Sequence, residues 1–310
     1  MNTHPRRFRR RLLGVVVGLA VVTAACGSDD TAGDAPPATS SPSVAEATIP
    51  ADVELRVVSL SPTHTEMMFA IGAGDQLVAV DEFSDYPVEA QELPNDLSAF
   101  DNNVEAIASF EPDLVLIGGD FNGLGPQLDT LDIGWWDGPA ATTIDDTYRQ
   151  IEELGEATGH EIEAAALVAT MQADIDDIVA NTPAPAEPLT IFHELDDTLF
   201  SLDSTTLFGE LYSLLGLRNI ADSVEGDSGG YPQLSAEFVV SADPDIIFLA
   251  DTKCCGQSLD TVAARPGWAD LAAVQSGNVV ELDDDVASRW GPRIVEFLQS
   301  ASDAVTAATG

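Results

Sequence analysis

EAIASFEPDLV (residues 105–115) and EFVVSADPDII (residues 237–247) are two stretches of this 310-residue chain that align with each other without gaps. Each stretch opens on a glutamate, continues with a mainly apolar segment, and passes through a Pro-Asp pair into an apolar run. This pattern is typical of a short helix followed by a buried strand. A repeated unit of this kind predicts two α/β lobes of related design. Chance similarity between two helix–proline–strand units is the alternative.

The residues before the first copy continue the same alternation. LRVVSLS (55–61) is a β-branched run that ends at a proline, and TEMMFAI (65–71) has helical spacing and stops at Gly72. Residues 76–80 predict a further short strand, whereas residues 104–110 and 113–117 predict the helix and strand of the first copy. Alternating strands and helices with short breaks predict a parallel sheet covered on both faces. We assign residues 55–142 to this first lobe.

A long helical region separates the two copies, over residues 143–182. Thr143 and Asp146 resemble an N-capping pair, an apolar stripe follows at helical spacing, and Gly155 and Gly159 interrupt that stripe. Residues 160–181 contain neither glycine nor proline, and they predict one interlobe helix of roughly 33 Å. Such a helix would allow only limited closure of the lobes. The second lobe is predicted over residues 188–310.

The N-terminus has the pattern of an export signal. Five arginines lie within residues 6–11, an apolar run of eleven residues follows, and small residues lead to Cys26. The apolar run is too short to span a bilayer and suits a secretory signal. We interpret residues 1–25 as a lipoprotein signal peptide, Cys26 as the lipidated residue, and residues 26–54 as a flexible tether. This predicts a lipid-anchored protein at the extracytoplasmic face of the membrane. An ordinary signal peptide with an incidental cysteine is the alternative.

The charge of the chain excludes several classes of partner. It has 53 acidic and 12 basic residues, a formal charge of −41, which becomes −46 once residues 1–25 are removed. Such a chain repels phosphate backbones, so nucleic-acid binding is excluded. Adsorption to anionic lipid through a basic patch is excluded for the same reason, which leaves the lipid anchor as the only membrane contact.

Seven stretches, taken in their order and spacing, resemble one family. They are RVVSLSPTHTE (56–66), FSDYP (83–87), residues 103–115, FGELYSLLGLRN (208–219), YPQLSAE (231–237), RPGWADLAA (265–273) and SRWGPRI (288–294). The family is that of the iron-siderophore and cobalamin substrate-binding proteins of ABC importers. The resemblance implies an α/β fold of class III periplasmic binding proteins, with two Rossmann-like lobes joined by a single long α-helix.

The resemblance also implies a function and partners. The protein would capture a ferric siderophore or a cobalamin-type chelate between its lobes, with small lobe closure, and deliver it to an ABC permease dimer with its ATPase. It would be a monomer, need no cofactor and catalyse no reaction. GDSGG (226–230) is found around the nucleophile of trypsin-like proteases, but an α/β body without a matching histidine context argues against that chemistry.

Two glutamates are the expected docking residues. The family places one acid on each lobe against arginine pockets of the permease, and by motif position these acids are Glu105 and Glu237. A carboxylate in the first turn of a helix is also stabilised by the helix dipole. The alternative is that both are ordinary N-terminal helix acids.

The ligand cleft of cobalamin-binding members is lined by aromatic residues, because flat rings give a bulky chelate a large, rigid apolar contact. The matching positions in this chain are Phe83, Phe100, Tyr231, the region of Asp285 and Arg289, and the neighbouring Trp290. For each aromatic residue, core packing is the alternative.

The small number of basic residues in the body limits the negative charge that a ligand can carry. The body holds one lysine and six arginines, Lys253, Arg56, Arg149, Arg218, Arg265, Arg289 and Arg293. Since polyanionic ferric catecholates need a cluster of cations, a corrinoid or a hydroxamate chelate fits better. Arg293 is expected to cap or pair locally.

Two other ligands stay open as alternatives. Heme would require His64, His193 or Tyr231 in the cleft, although His64 is expected to cap a helix. A bare zinc or manganese ion would need several ligating side chains, and no two histidines of the body have the i, i+4 spacing of a His-rich site.

Cys254 and Cys255 are adjacent and have no third partner once Cys26 is lipidated. In an oxidising compartment they could form a vicinal disulfide, which would stiffen a loop at a strand end of the second lobe. Two free thiols or an intermolecular bridge are the alternatives.

Overall fold

The computed structural model describes residues 55–101, 103–226 and 228–310. The signal peptide, the lipidated Cys26 and the tether lie outside the described residues, and their assignments stay predictions. Residues 55–310 belong to one compact unit.

Two four-stranded parallel sheets organise this unit. The first has the order β2-β1-β3-β4 and the second the order β6-β5-β7-β8. The strands are β1 (Val57–Leu60), β2 (Leu77–Val80), β3 (Leu114–Ile117), β4 (Gly134–Asp137), β5 (Thr190–Glu194), β6 (Arg218–Asn219), β7 (Ile246–Leu249) and β8 (Val279–Glu281).

Eleven α-helices lie within the described residues. They are α1 (Pro62–Ala70), α2 (Val104–Ala108), α3 (Leu124–Thr130), α4 (Ile144–Thr158), α5 (Glu161–Asn181), α6 (Leu207–Leu214), α7 (Ala236–Ala242), α8 (Thr252–Cys255), α9 (Leu259–Ala263), α10 (Ala272–Ser276) and α11 (Ile294–Thr309). Short 3-10 turns occur at Gly74–Gln76, Val88–Glu92, Ile220–Ser223 and Trp268–Asp270.

The repeat predicted from the sequence is confirmed. Its two copies form α2 with β3 and α7 with β7, and the paired residues Leu114 and Ile246 occupy the same place in the central strand of their sheets. The two copies also share a backbone conformation: Glu111 and Asp243, each followed by a proline, have positive φ angles of 50° and 46°. The two lobes are therefore built to one plan.

The connection between the sheets consists of α4 and α5. The predicted capping box of Thr143 and Asp146 is present at the start of α4. Helix α5 has 21 residues, and its limits lie within one residue of the helix predicted over residues 160–181; its role as the single link between the lobes stays a prediction. Its C-terminal end contacts α11 of the second lobe, where the hydroxyls of Thr182 and Ser302 lie 2.6 Å apart.

Gly155 interrupts the apolar stripe but not the helix itself. Gly155 lies inside α4, whereas Gly159 ends it with a left-handed conformation (φ 80°). A Cβ atom on Gly155 would collide with the Cβ of Ala164 on α5. The glycine therefore lets the two helices approach closely, and its tolerance within a helix comes from this packing.

Gly155→Ala is expected to lower the free energy of unfolding by about 1–3 kcal/mol, because an added methyl group overpacks the contact between α4 and α5. Denaturant unfolding measures the loss. The double variant Gly155→Ala/Ala164→Gly should recover part of it, since it removes the colliding methyl group. A single variant as stable as wild type would contradict the close approach.

The hydrophobic core is continuous between the two lobes. One cluster includes Val57 and Leu114 of the first sheet, Ile191 and Phe248 of the second, and Ile151 of α4. Two smaller clusters cover the outer face of each sheet. The lobes thus share buried apolar surface as well as a chain connection.

Candidate functional site

A cavity of about 620 Å³ opens at the carboxyl ends of the first sheet. Ser61, Asp81 and Gly118, which follow β1, β2 and β3, line it from the first lobe. Asp285 and Trp290, from the segment between β8 and α11, line it from the other side. The carboxyl edge of a parallel sheet is where α/β proteins bind their ligands, because the loops that follow the strands converge there.

Five of the six residues predicted for the cleft lie around this cavity, namely Phe83, Phe100, Asp285, Arg289 and Trp290. Tyr231 is not among the lining residues. It lies in the loop before α7 with 47 % of its surface exposed, and burial together with the charge of Asp203 raises its pKa.

Three phenylalanines form the apolar wall of the cavity. Phe83, Phe100 and Phe121 are 49 %, 78 % and 86 % exposed, and the rings of Phe83 and Phe100 meet edge to face with centroids 6.1 Å apart. Large apolar side chains grouped in an open cavity mark a surface that a partner or ligand covers.

Sequence reasoning missed Phe121. It follows the Gly118-Gly119-Asp120 turn after β3, and its ring lies so close to Gly119 (φ 110°) that a Cβ atom there would collide with it. The sequence does hold a pattern that indicates this position: a glycine pair directly after a buried strand, with an aromatic residue two positions later. The glycine turn places the ring at the cavity mouth.

Arg289 forms the buried corner of the cavity. Its guanidinium donates to Glu66 Oε1 and Asp285 Oδ1, both at 2.8 Å, and lies 2.9 Å from Asp85 Oδ1. Glu66 lies on α1 of the first lobe, and Arg289 precedes α11 of the second. The arginine therefore joins the two lobes.

Arg293 completes the same contact. It occupies the N-cap position of α11, without a capping hydrogen bond from its side chain, and the expectation that it pairs locally is wrong. Its Nε donates to Glu66 Oε2 at 2.9 Å and its Nη2 to Glu66 Oε1 at 2.5 Å. We call Glu66, Arg289 and Arg293 the interlobe triad. Their side chains are only 1 %, 7 % and 11 % exposed, so the attraction between the charges acts with little screening by water.

Trp290 is anchored beside the triad by a buried amide. Its Nε1 donates to Gln150 Oε1 at 3.0 Å, and His64 Nε2 shares that oxygen at 3.1 Å. The capping role expected for His64 is wrong, because Ser61 is the N-cap of α1. Burial lowers the pKa of His64 to about 4, against a smaller opposing effect of the hydrogen bond with Gln150.

His193 is also buried, in the second sheet. Its Nδ1 lies 2.9 Å from the hydroxyl of Tyr212, and burial lowers its pKa to about 3. Neither His64 nor His193 lines the cavity. The described residues hold no group of three or more histidine, cysteine or acidic side chains placed to bind a metal ion.

Asp81 is a buried carboxylate in the cavity wall that sequence reasoning also missed. Ser84 Oγ donates to its Oδ1 at 2.5 Å, while Oδ2 has no hydrogen-bond partner among the described residues. Burial raises the pKa of Asp81 to about 6, with Ser84 and Arg289 acting in the opposite direction.

Glu105 and Glu237 occupy equivalent positions on the two lobes. Each lies in the first turn of its helix, behind the N-caps Asn103 and Ser235. Both are exposed, and the structure gives neither carboxylate a salt bridge within the described part of the chain. Both carboxylates are therefore accessible at the surface, and their docking role stays a prediction.

Cys254 and Cys255 are joined by a disulfide in the single turn of α8. The Asp284 carboxylate accepts hydrogen bonds from the backbone N–H groups of Thr252, Lys253 and Cys254, at 2.8, 3.0 and 2.9 Å. This turn is thereby attached to the acidic segment 283–285, which leads into the cavity wall.

The family model described as periplasmic binding protein matches residues 57–286. An uncharacterized ABC transporter substrate-binding lipoprotein of Bacillus subtilis is 30 % identical over 260 residues, which cover 81 % of this chain and 79 % of that protein. A vitamin B12-binding protein of Yersinia pestis is 33 % identical over 253 residues, covering 80 % and 85 % respectively.

A solved structure gives the same result in three dimensions. The periplasmic vitamin B12 binding protein of Vibrio cholerae superposes with a TM-score of 0.66 at 29 % identity, covering 82 % of this chain and 97 % of that chain. Among the helices of the described ranges, none has both the length and the hydrophobicity of a membrane span.

Proposed function

This chain belongs to the periplasmic binding protein family, and from that premise we propose that it is the extracytoplasmic receptor of an ABC importer for a cobalamin-type corrinoid or a ferric siderophore. The cavity holds the ligand, the exposed acids Glu105 and Glu237 dock the permease, and Cys26 carries a lipid anchor. The protein acts as a monomer and performs no chemistry on its ligand.

The observation that carries this proposal is the group of three exposed phenylalanines in an open cavity at the strand ends. Burying such rings against a ligand gains about 1.5–3 kcal/mol for each ring that becomes fully covered. A bulky chelate with extended apolar faces matches a cavity of this size and lining.

Two alternatives have less support from the residues. Heme coordination by a histidine would need an imidazole at the cavity, yet His64 and His193 are both fully buried away from it. A bare zinc or manganese ion would need a cluster of ligating side chains, and the described residues hold no group of three or more histidine, cysteine or acidic side chains placed to bind one. The proposal therefore keeps an organic chelate as the ligand.

A ligand screen tests the proposed function. Trp290 lines the cavity, so quenching of tryptophan fluorescence and calorimetry can follow the addition of cyanocobalamin, a ferric trihydroxamate, hemin and a ferric tricatecholate. We expect one of the first two to bind at one molecule per protein and the tricatecholate to bind weakest. Binding of hemin alone, or of none of the four, would overturn the proposal.

Phe121→Ala is expected to weaken binding of the ligand found in that screen by about tenfold or more, because the variant loses an aromatic contact of the cavity wall. The free energy of unfolding should stay unchanged, since the ring is 86 % exposed. Titration calorimetry measures the affinity. Ile162→Ala, which removes an 82 % exposed side chain from α5, is the control; equal affinities for the two variants would remove Phe121 from the site.

A further inference from the structure

We propose that the cavity selects its ligand by charge, and that it binds a chelate with net positive charge more tightly than a neutral or anionic chelate of the same shape. This inference rests on the proposed function and adds the charge class of the ligand. It concerns the carboxylates around the cavity, which outnumber the basic groups available to neutralise them.

Arg289 is the one basic residue among the described residues that line the cavity, and Arg293 and Lys253, which share carboxylate partners with it, are paired as well. Arg289 contacts three carboxylates, those of Glu66, Asp85 and Asp285. Arg293 contacts Glu66, and Lys253 contacts Asp283 and Asp285 at 3.1 and 2.6 Å. Three cations thus face four carboxylates in this network, and none is left to receive an anionic ligand.

Two further carboxylates line the cavity outside that network. Asp81 follows β2, and its only hydrogen-bonded side-chain partner in the described chain is the uncharged Ser84. Asp120 follows β3, and its Oδ1 accepts the backbone N–H groups of Leu124 and Gly125 at 2.6 and 3.3 Å. Neither forms a salt bridge with a basic side chain of the described residues. The cavity therefore carries uncompensated negative charge.

The apolar wall strengthens the effect of these charges. A ligand seated against Phe83, Phe100 and Phe121 displaces water, so its charge interacts with Asp81 and Asp120 through a medium of lower dielectric constant. The rest of the chain adds to the same field, since residues 55–310 contain 47 acidic and seven basic residues. Each unit of ligand charge is expected to change affinity by about threefold to tenfold at low ionic strength.

Two matched series of chelates test the inference without assuming which ligand is native. In the first, a ferric trihydroxamate carries a free terminal amine, an acetylated amine or a succinylated amine. In the second, one side-chain amide of cyanocobalamin is left intact, hydrolysed to a carboxylate, or converted to an aminoethyl amide. Within each series the changes are confined to one position of the ligand, and a comparison of wild type with a variant that lacks one cavity charge separates the electrostatic contribution from the change in substituent size.

For wild-type protein we expect the order cationic, neutral, anionic, with about threefold to tenfold between steps. Asp120→Asn should reduce each step, because it removes a cavity charge while keeping the oxygen that accepts the N–H groups. Asp174→Asn makes the same change of net charge at an exposed position of α5 and should leave the steps intact. Asp81→Asn is a second cavity variant in case Asp120→Asn misfolds.

Three outcomes of these titrations would contradict the proposed charge selection. Equal affinity along a series would overturn the charge selection while leaving the proposed function intact. An equal effect of Asp120→Asn and Asp174→Asn would assign the preference to the whole protein and not to the cavity, and would also overturn it. Failure of both series to bind would overturn the proposed function, and the charge selection with it.

Discussion

Glu66→Gln is expected to lower the free energy of unfolding by about 3–5 kcal/mol, the cost of leaving a buried ion pair without one partner. Glu66 is 1 % exposed and is the carboxylate shared by Arg289 and Arg293. Glutamine keeps the shape of the side chain and removes its charge, so Arg293 loses its carboxylate partner and Arg289 keeps only Asp85 and Asp285. Denaturant unfolding followed by circular dichroism measures the loss.

Two comparisons make this result specific. Glu163→Gln removes a charge from the exposed surface of α5 and should change stability by less than about 0.5 kcal/mol. The triple variant Glu66→Leu/Arg289→Met/Arg293→Met replaces all three charges by apolar groups and should recover much of the stability. A loss below about 1 kcal/mol for Glu66→Gln would show that water or other carboxylates take over the pairing.

Glu105→Ala combined with Glu237→Ala is expected to abolish uptake of the ligand while leaving its affinity unchanged. Both acids lie on the surface at the first turns of α2 and α7 and have no salt bridge within the described residues. In the proposed function they are the charged contacts to the permease, one on each lobe. Transport into cells that depend on this receptor measures uptake, and calorimetry measures affinity.

The control for this experiment is Glu161→Ala combined with Glu296→Ala. These exposed acids also lie in first helical turns, those of α5 and α11, so the variant makes the same change in net charge and also removes a negative charge from two helix N-termini. Normal uptake is expected. Retained uptake in the Glu105/Glu237 variant, or loss of its ligand affinity, would refute the docking role.

Local sequence patterns were sufficient to predict most of the architecture. The repeat of residues 105–115 in 237–247 predicted two lobes of one plan, because a strand buried on both faces is a short apolar run that can be recognised in isolation. The interlobe helix was predicted for a similar reason, since its limits are marked by Gly159 and by the prolines after residue 182.

The interlobe triad could not be predicted in this way. Glu66 and Arg293 are separated by 227 positions, and nothing in the neighbourhood of either residue points to the other. In a chain with 53 acidic residues, a buried glutamate also has the same local pattern as a solvated one. This is why Arg293 was expected to pair locally.

Residues of the candidate site could be predicted from the sequence where they lie in or beside a recognisable motif. They could not be predicted where the geometry of a loop brings them to the cavity. Phe83, Phe100 and Trp290 lie in or next to recognisable stretches, whereas Phe121 is brought to the cavity by the turn at Gly119. His64 was assigned to the helix end because its position in α1 is visible in the sequence. Its contact with Gln150, 86 residues away, is not.

The interlobe triad has a consequence for the competition between unloaded and loaded receptors for the permease. Because Glu66 joins the two lobes through Arg289 and Arg293, we expect an unloaded receptor to keep nearly the same outline as a loaded one. A permease that recognises only that outline would accept vacant receptors as readily as full ones, and the two would compete for it. Productive turnover would then depend on the transporter touching the cargo itself, and uptake should slow when receptors greatly outnumber their cargo.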